Sequence, residues 1–269
     1  MINRTLALAL LASFAAAPAA AQIAVVSDAV EEKTAAAGES YAGTIRIRNT
    51  TGRAQEVKLY QTDYAFFADG RTTYGEPGTG PRSNARWVTM SPARLTLAPG
   101  AESTVSFRVA VPAAPAQRGS YWSMVMVEPI EVGSAESSQR APSRKAELSV
   151  QTRTRFGVQV VTHVGEEGAR TLEFGAPRAS KAAGGAKSVE VDLANTGDRA
   201  FRPVLRLELF TADGAPAGRL ESGRGLVYPG TSLRQRFELG GIPAGTYDAL
   251  VVADAGGDDV FGARYKVTF

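Results

Sequence analysis

The 269-residue sequence contains no cysteine and a single histidine, His163. Without thiols the chain can form no disulfide, cysteine-ligated zinc site, iron–sulfur centre, c-type haem attachment or thiol nucleophile. A metal site or catalytic triad relying on imidazole would have His163 alone, and no cofactor is implied. Long apolar runs are scarce. Beyond the first residues, nothing approaches the ~20 apolar residues of a spanning helix, so no transmembrane segment is expected in the mature chain. A dominant charge is also lacking: 30 Lys+Arg against 27 Asp+Glu give a formal +3. The basic residues are scattered apart from 140–145 and Arg153-Thr-Arg155. Nucleic-acid binding, which calls for a dense basic face with stacking aromatics, is not expected. What is present is 44% hydrophobic residues with 28 Gly and 14 Pro, the balance of a folded chain rich in strands and turns.

Residues 1–21, MINRTLALALLASFAAAPAAA, have the form of an export signal. Arg4 supplies a positive start, an apolar stretch follows, and Ala19-Ala20-Ala21 offers the small-x-small cleavage pattern. The apolar stretch is too short to span a bilayer. The expectation is a periplasmic or otherwise exported protein whose mature chain begins at Gln22.

The rest of the sequence reads as two copies of one grammar. Gly43-Thr-Ile45-Arg-Ile47-Arg runs into the turn Asn49-Thr-Thr-Gly52, as Val189-Glu-Val191-Asp-Leu193-Ala runs into Asn195-Thr-Gly197. An alternating strand follows each turn and leads to Ala68-Asp69-Gly70 and Ala212-Asp213-Gly214. Then come Pro99-Gly100 and Pro229-Gly230, Val111-Pro112 and Ile242-Pro243, and finally Gly119-Ser-Tyr121 and Gly245-Thr-Tyr247. Period-two runs of 5–9 residues between Asn/Gly/Pro turns, without an amphipathic helix, predict an all-β protein. The expected fold is two immunoglobulin-like antiparallel β-sandwich domains in tandem, at 22–163 and 165–269, behind a signal peptide at 1–21. Each Gly-x-Tyr resembles a tyrosine corner, in which a buried ring returns its hydroxyl to the backbone.

Few residues suggest chemistry. Gly38-Glu-Ser40-Tyr-Ala-Gly43 is one residue too long for a nucleophile elbow and reads as a turn opening a strand. Asp254-Ala-Gly-Gly-Asp258-Asp259 gathers carboxylates but lacks the rhythm of a calcium loop, and reads as a hairpin turn. His163 falls at the boundary between copies and reads as a solvated linker residue. Tyr265-Lys-Val267-Thr-Phe269 reads as the closing strand of the second copy. Residues 131–145 read as a long irregular loop, and 70–86 as a second excursion closed by Trp87. No enzymatic activity is expected.

The strand from Glu147 to Val160 places Leu148, Val150, Thr152, Thr154, Phe156, Val158 and Val160 on one face, with Arg153 and Arg155 on the other. Together with Ser91-Pro92-x-x-Leu95-x-Leu97-x-Pro99-Gly100 and Tyr121 in an apolar strand, it resembles the N-terminal domain of periplasmic pilus-assembly chaperones. That resemblance implies a cation on the last strand paired with one on the first, holding a client's C-terminal carboxylate in the interdomain cleft. On this sequence the positions are Lys33 and Arg155, with Arg153 as the alternative. It also implies a strand-addition face at Ala146, Leu148 and Val150. The overall layout, with Asp69-Gly70…Tyr74, Leu-x-Pro-Gly, Val-Pro and Gly-x-Tyr, is similar as well to WxL-interacting, peptidoglycan-associated surface proteins.

These readings combine into an exported, non-enzymatic binding protein, a chaperone-like factor that captures a pilin-like or surface subunit by β-strand addition. An outer-membrane assembly partner belongs to the same expectation. The alternative is an envelope adhesion or scaffold protein binding cell-wall polymer or a surface partner.

Overall fold

A computed structural model describes residues 22–139, 154–182, 184–223 and 225–269. The signal-peptide reading of 1–21 and the positions Ala146, Leu148, Val150 and Arg153 lie outside the described residues.

Among the described residues the N-terminal half contributes ten strands: β1 (Ile23–Val25), β2 (Val30–Ala35), β3 (Ser40–Asn49), β4 (Gln55–Phe66), β5 (Thr72–Gly75), β6 (Val88–Ser91), β7 (Arg94–Leu97), β8 (Glu102–Ala110), β9 (Gly119–Ile130) and β10 (Phe156–Val164). The C-terminal half contributes eight: β11 (Leu172–Phe174), β12 (Arg178–Lys181), β13 (Lys187–Asn195), β14 (Val204–Phe210), β15 (Pro216–Glu221), β16 (Ser232–Glu238), β17 (Thr246–Asp254) and β18 (Val260–Thr268). Each half is a two-sheet sandwich. The first pairs a β1-β3-β8-β6 sheet with a β2-β10-β9-β4-β5 sheet, in which β7 also lies against β4. The second pairs a sheet of β11 and β12 on β13, followed by β16, with a β15-β14-β17-β18 sheet. Apart from the parallel β2–β10 pair, the ladders between strands are antiparallel.

Alternation explains the cores. In β3, Ile45 and Ile47 are fully buried while Thr44, Arg46 and Arg48 face water. With Val57, Val105, Phe107, Val125, Val127, Val158 and Val160 they form the first core. Val189, Val191, Leu193, Leu205, Leu207, Leu209, Phe237 and Val251 form the second. With no disulfide available, burial of these side chains, about 1.5–3 kcal/mol each, is what holds the sheets together.

The repeated turns have one construction. Asn49 and Asn195 are buried, and each amide nitrogen donates to a carbonyl four residues on, Arg53 at 2.7 Å and Arg199 at 2.8 Å. It also reaches across to Leu97 and Val227 respectively, both at 3.1 Å. Each side-chain oxygen receives the N–H two residues on, from Thr51 and Gly197, at 2.9 Å. The Gly-x-Tyr pair matches too: Tyr121 donates to Gln117 O at 2.9 Å and Tyr247 to Pro243 O at 3.0 Å, with both rings buried. Gly38 precedes β3, and the Asp254–Asp259 stretch is the hairpin between β17 and β18, as expected. There Asp254 caps Gly256 N at 2.9 Å and Asp259 pairs with Arg170 at 2.9 Å, so two of the carboxylates serve the turn and its neighbour. The 70–86 excursion carries β5 and is pinned by Asp63, whose carboxylate accepts the N–H groups of Gly78, Thr79 and Gly80 and the Ser83 hydroxyl.

One expectation is corrected. His163 is not a solvated linker residue. It lies inside β10, 6% exposed, because the last strand continues to Val164 and the second sandwich packs directly against its end.

Candidate functional site

The site is built around β10 and the junction it runs into. β1 pairs with β3, and then the chain crosses to the opposite sheet, where β2 runs parallel to β10. The β2 register begins at Val30 opposite Gln159 and ends at Ala35 opposite Val164. Ahead of Gln159, β10 pairs with β9 on one side only, Phe156 opposite Val127 and Val158 opposite Val125. Gln159 N donates to Ala29 O at 2.9 Å on the β2 side. Antiparallel alternation therefore turns the backbone groups of Gly157, two residues earlier, towards the same side, where β2 no longer lies. The result, among the described residues, is a short open edge at residues 155–158.

The sheet face beside this edge is aromatic and sulfur-rich. Met124 and Met126 lie on the side of β9 away from the first core, yet are 5% and 4% exposed. Gly157 makes room for Met124: a Cβ there would lie 2.2 Å from its sulfur. Arg155 stands at the mouth of the edge. Its guanidinium lies 5.6 Å from the Tyr74 ring centroid and 3.4 Å from the Tyr60 hydroxyl. Tyr60 in turn donates to Glu128 at 2.9 Å. Tyr74 itself is 51% exposed and packs on Tyr64, which packs on Phe66.

At its other end β10 enters the junction. Ser120 Oγ receives Ala200 N–H at 2.8 Å and lies 2.7 Å from His163 Nδ1. The Glu32 carboxylate only accepts, so Nε2–H donates to its Oε1 at 2.7 Å, and in the neutral ring this leaves Nδ1 to accept from the Ser120 hydroxyl. The other Glu32 oxygen accepts from Arg202 of the second sandwich. The His163 hydrogen bond, opposed by partial burial and reinforced by Arg202, holds the Glu32 carboxyl down at about 2. Ser120, His163 and Glu32 thus line up in the order of a hydrolase triad. However, Ser120 is fully buried and its oxygen is occupied by a backbone donor, so the line cements the junction and offers no nucleophile to a substrate.

Further contacts join the sandwiches. Trp122 stacks on Tyr228 with centroids 4.5 Å apart and planes 7° from parallel, and its indole N–H reaches Tyr64 O at 2.5 Å. The Tyr228 hydroxyl donates to Gln159. Burial pushes the Tyr228 phenol far up. Arg82 pairs with Asp198 at 2.6 Å and donates to Arg118 O at 2.7 Å. Gly119, at φ 87°, lets Asp198 O approach so closely that a Cβ would lie 2.0 Å from it, and Ser120 N donates to that oxygen at 2.8 Å. A cavity of about 480 Å³ opens beside the stack, lined by Tyr64, Arg82 and Trp122 on one side and Gly197, Pro229 and Thr231 on the other.

The proposed cation pair is not assembled. Lys33 is exposed on β2 opposite Thr162, whereas Arg155 precedes the first residue of β10. Seven residues of strand separate Arg155 from Thr162, roughly 23 Å at the usual rise. The resemblance that pointed to Lys33 left the register between β2 and β10 undetermined. The structure places Glu32 at the junction, held by His163 and by the Arg202 guanidinium of the second sandwich. Ser120, Trp122 and Tyr228 were not singled out from the sequence. For Trp122 the signal was the apolar-rich run Tyr121-Trp-Ser-Met-Val-Met-Val127, which marks a strand buried on both faces; Ser120 and Tyr228 carried no such local signal. No group of three or more His, Asp and Glu residues suited to a metal ion occurs among the described residues.

No family model matches this chain, and no curated protein matches it. Solved structures do. The class 5 fimbriae chaperone CfaA is 13% identical, aligned over 91% of this chain and 98% of its own, with a TM-score of 0.46. The E. coli chaperone DraB is 13% identical over 92% and 98%, with a TM-score of 0.43. A chain from the Salmonella enterica complex of SafA pilin with the SafB chaperone is 11% identical over 94% and 99%, with a TM-score of 0.41. The chain is similar in fold to fimbrial chaperones. At these identities the likeness is one of fold.

Proposed function

We propose that this is an exported, non-enzymatic binding protein, a chaperone-like factor for pilus or other surface subunits, that captures its client by strand addition at the open edge of β10. The observation that supports this reading is the half-covered last strand. β2 occupies the edge of β10 from Gln159 onward and stops short of residues 155–158. A free run of backbone donors and acceptors is a template for another strand. Beside it, Arg155, Tyr60 and Tyr74 form a face that an incoming side chain would meet. In this reading the sequence-derived face at Ala146, Leu148 and Val150 extends the same edge. The two domains, 22–163 and 165–269, act as one body, and Arg155 serves the client alone, without Lys33.

The test uses protein recovered from a periplasmic extract with its bound partners, identified by mass spectrometry. Arg155→Pro removes an edge N–H that β9 does not use and should abolish recovery of a β-rich exported subunit. Lys33→Ala should leave recovery intact. Equal recovery of the same subunit with Arg155→Pro would rule out capture at this edge.

A further inference from the structure

The two sandwiches differ in how they finish their last strand. In the first, the opening strand splits: β1 stays on β3, and β2 crosses over to cover β10. In the second, the corresponding pieces β11 and β12 both stay on β13, with Leu172 opposite Asn195 and Arg178 opposite Glu190. Among the described residues no strand crosses, and β18 is the outermost strand of its sheet, paired with β17 alone over nine residues. The hydrogen-bond phase is set at the strand end, where Gly245 N donates to Phe269 O at 3.0 Å and Phe269 N to Gly245 O at 3.2 Å. Alternation then turns the backbone N–H and C=O of Gly262, Arg264, Lys266 and Thr268 away from β17. Among the described residues no other strand receives them.

We infer that the edge of β18 is a second strand-binding surface, and that its occupant is an extended acidic–apolar segment of another protein, lying parallel to β18 as β2 lies parallel to β10. The chemistry follows from the two faces. On the outer face, Arg264 and Lys266 stand opposite Leu250 and Asp248, and together with Phe210 they line a groove of about 600 Å³. Lys266 remains 73% exposed despite its 3.0 Å pair with Asp248. Acidic side chains of an added strand would sit against these cations. On the inner face Phe261 and Tyr265 are only half-buried, so apolar residues of the added strand would complete their burial, while Val260 at the strand start lies on the outer face and is 54% exposed. A second copy of this chain is disfavoured, because two β18 strands joined about a two-fold axis would bring Arg264 and Lys266 against their own kind. This surface lies on the other sandwich from the β10 edge, so either can fail without the other.

The test is residue-resolved amide exchange on the full chain with an end-capped nine-residue peptide of alternating Val and Glu, and a Val/Lys peptide as control. In the free protein Gly262, Arg264, Lys266 and Thr268 should exchange fast, and Ala263, Tyr265 and Val267 slowly. The Val/Glu peptide should slow the first set at least tenfold and the Val/Lys peptide should not. The double variant Arg264→Glu, Lys266→Glu should reverse that preference. Slow exchange of the first set without peptide, deepening with protein concentration, would assign the edge to a second copy and overturn the proposal. So would a Val/Glu peptide that protects only β10 amides, or none.

Discussion

Single side chains repeat their work across the two halves, and that gives sharp tests. Asn195→Ala would strand two buried carbonyls and a turn N–H, so it should cost on the order of 3 kcal/mol in urea unfolding. Tyr247→Phe removes one hydrogen bond and keeps the ring, so about 1 kcal/mol is expected. The same ranking should hold for Asn49 and Tyr121. Gly157→Ala should destabilise by about 1–3 kcal/mol, because the new methyl must displace Met124. Glu32 should give the protein an acid-sensitive component. Its folded pKa of about 2 lies below the ordinary carboxyl value of 4.5, so its stabilisation is complete above 4.5 and is lost as pH falls towards 2. Glu32→Gln should therefore flatten the stability profile across that window, and an unchanged slope would show that the carboxylate does not bridge the sandwiches. Asn49, Asn195 and both tyrosines were legible in the sequence because a turn or corner is a local device whose residues recur in order. Glu32 was not, since its partners lie 131 and 170 residues away.

At the scale of elements, edges decide what the protein can bind. Among the described residues, β10 is covered for six residues and open at 155–158 before them, while β18 is open throughout. Alternation identified both strands, but not which edge would be covered. Coverage depends on whether the opening strand crosses between sheets, and β2, with Val30-Glu-Glu-Lys-Thr-Ala35, has no alternation to announce it. The partly described 131–145 stretch shows a related limit. Its first turns are tied down: Ser137 and Ser138 both donate to the Glu56 carboxylate. Trypsin should cut first at Arg140, Arg144 or Lys145, the basic residues of this polar stretch, as N-terminal sequencing of the fragments would show.

At the scale of the whole molecule, the junction should make the sandwiches unfold together. Trp122 and Tyr228 stack across it, and Arg82, Ser120, Glu32 and Gln159 bond across it. Calorimetry should show one transition for the native chain and two for Trp122→Ala combined with Arg82→Ala. Two transitions already present in the native chain would show that the junction is only a contact. For the reading as an exported protein, intact mass from a periplasmic extract should match a chain starting at Gln22. The sequence by itself determined the all-β class, the tandem repeat, the turns and the corners, because period-two burial and turn chemistry act over a few residues. Only the tertiary structure decided which strands lie at open edges, that Glu32 is held at the junction by His163 and Arg202 while Lys33 and Arg155 stay apart, and that His163 is buried there. Those outcomes depend on strand crossing, register and the docking of one sandwich on the other. They are set by contacts between residues far apart in the chain, which local patterning does not encode.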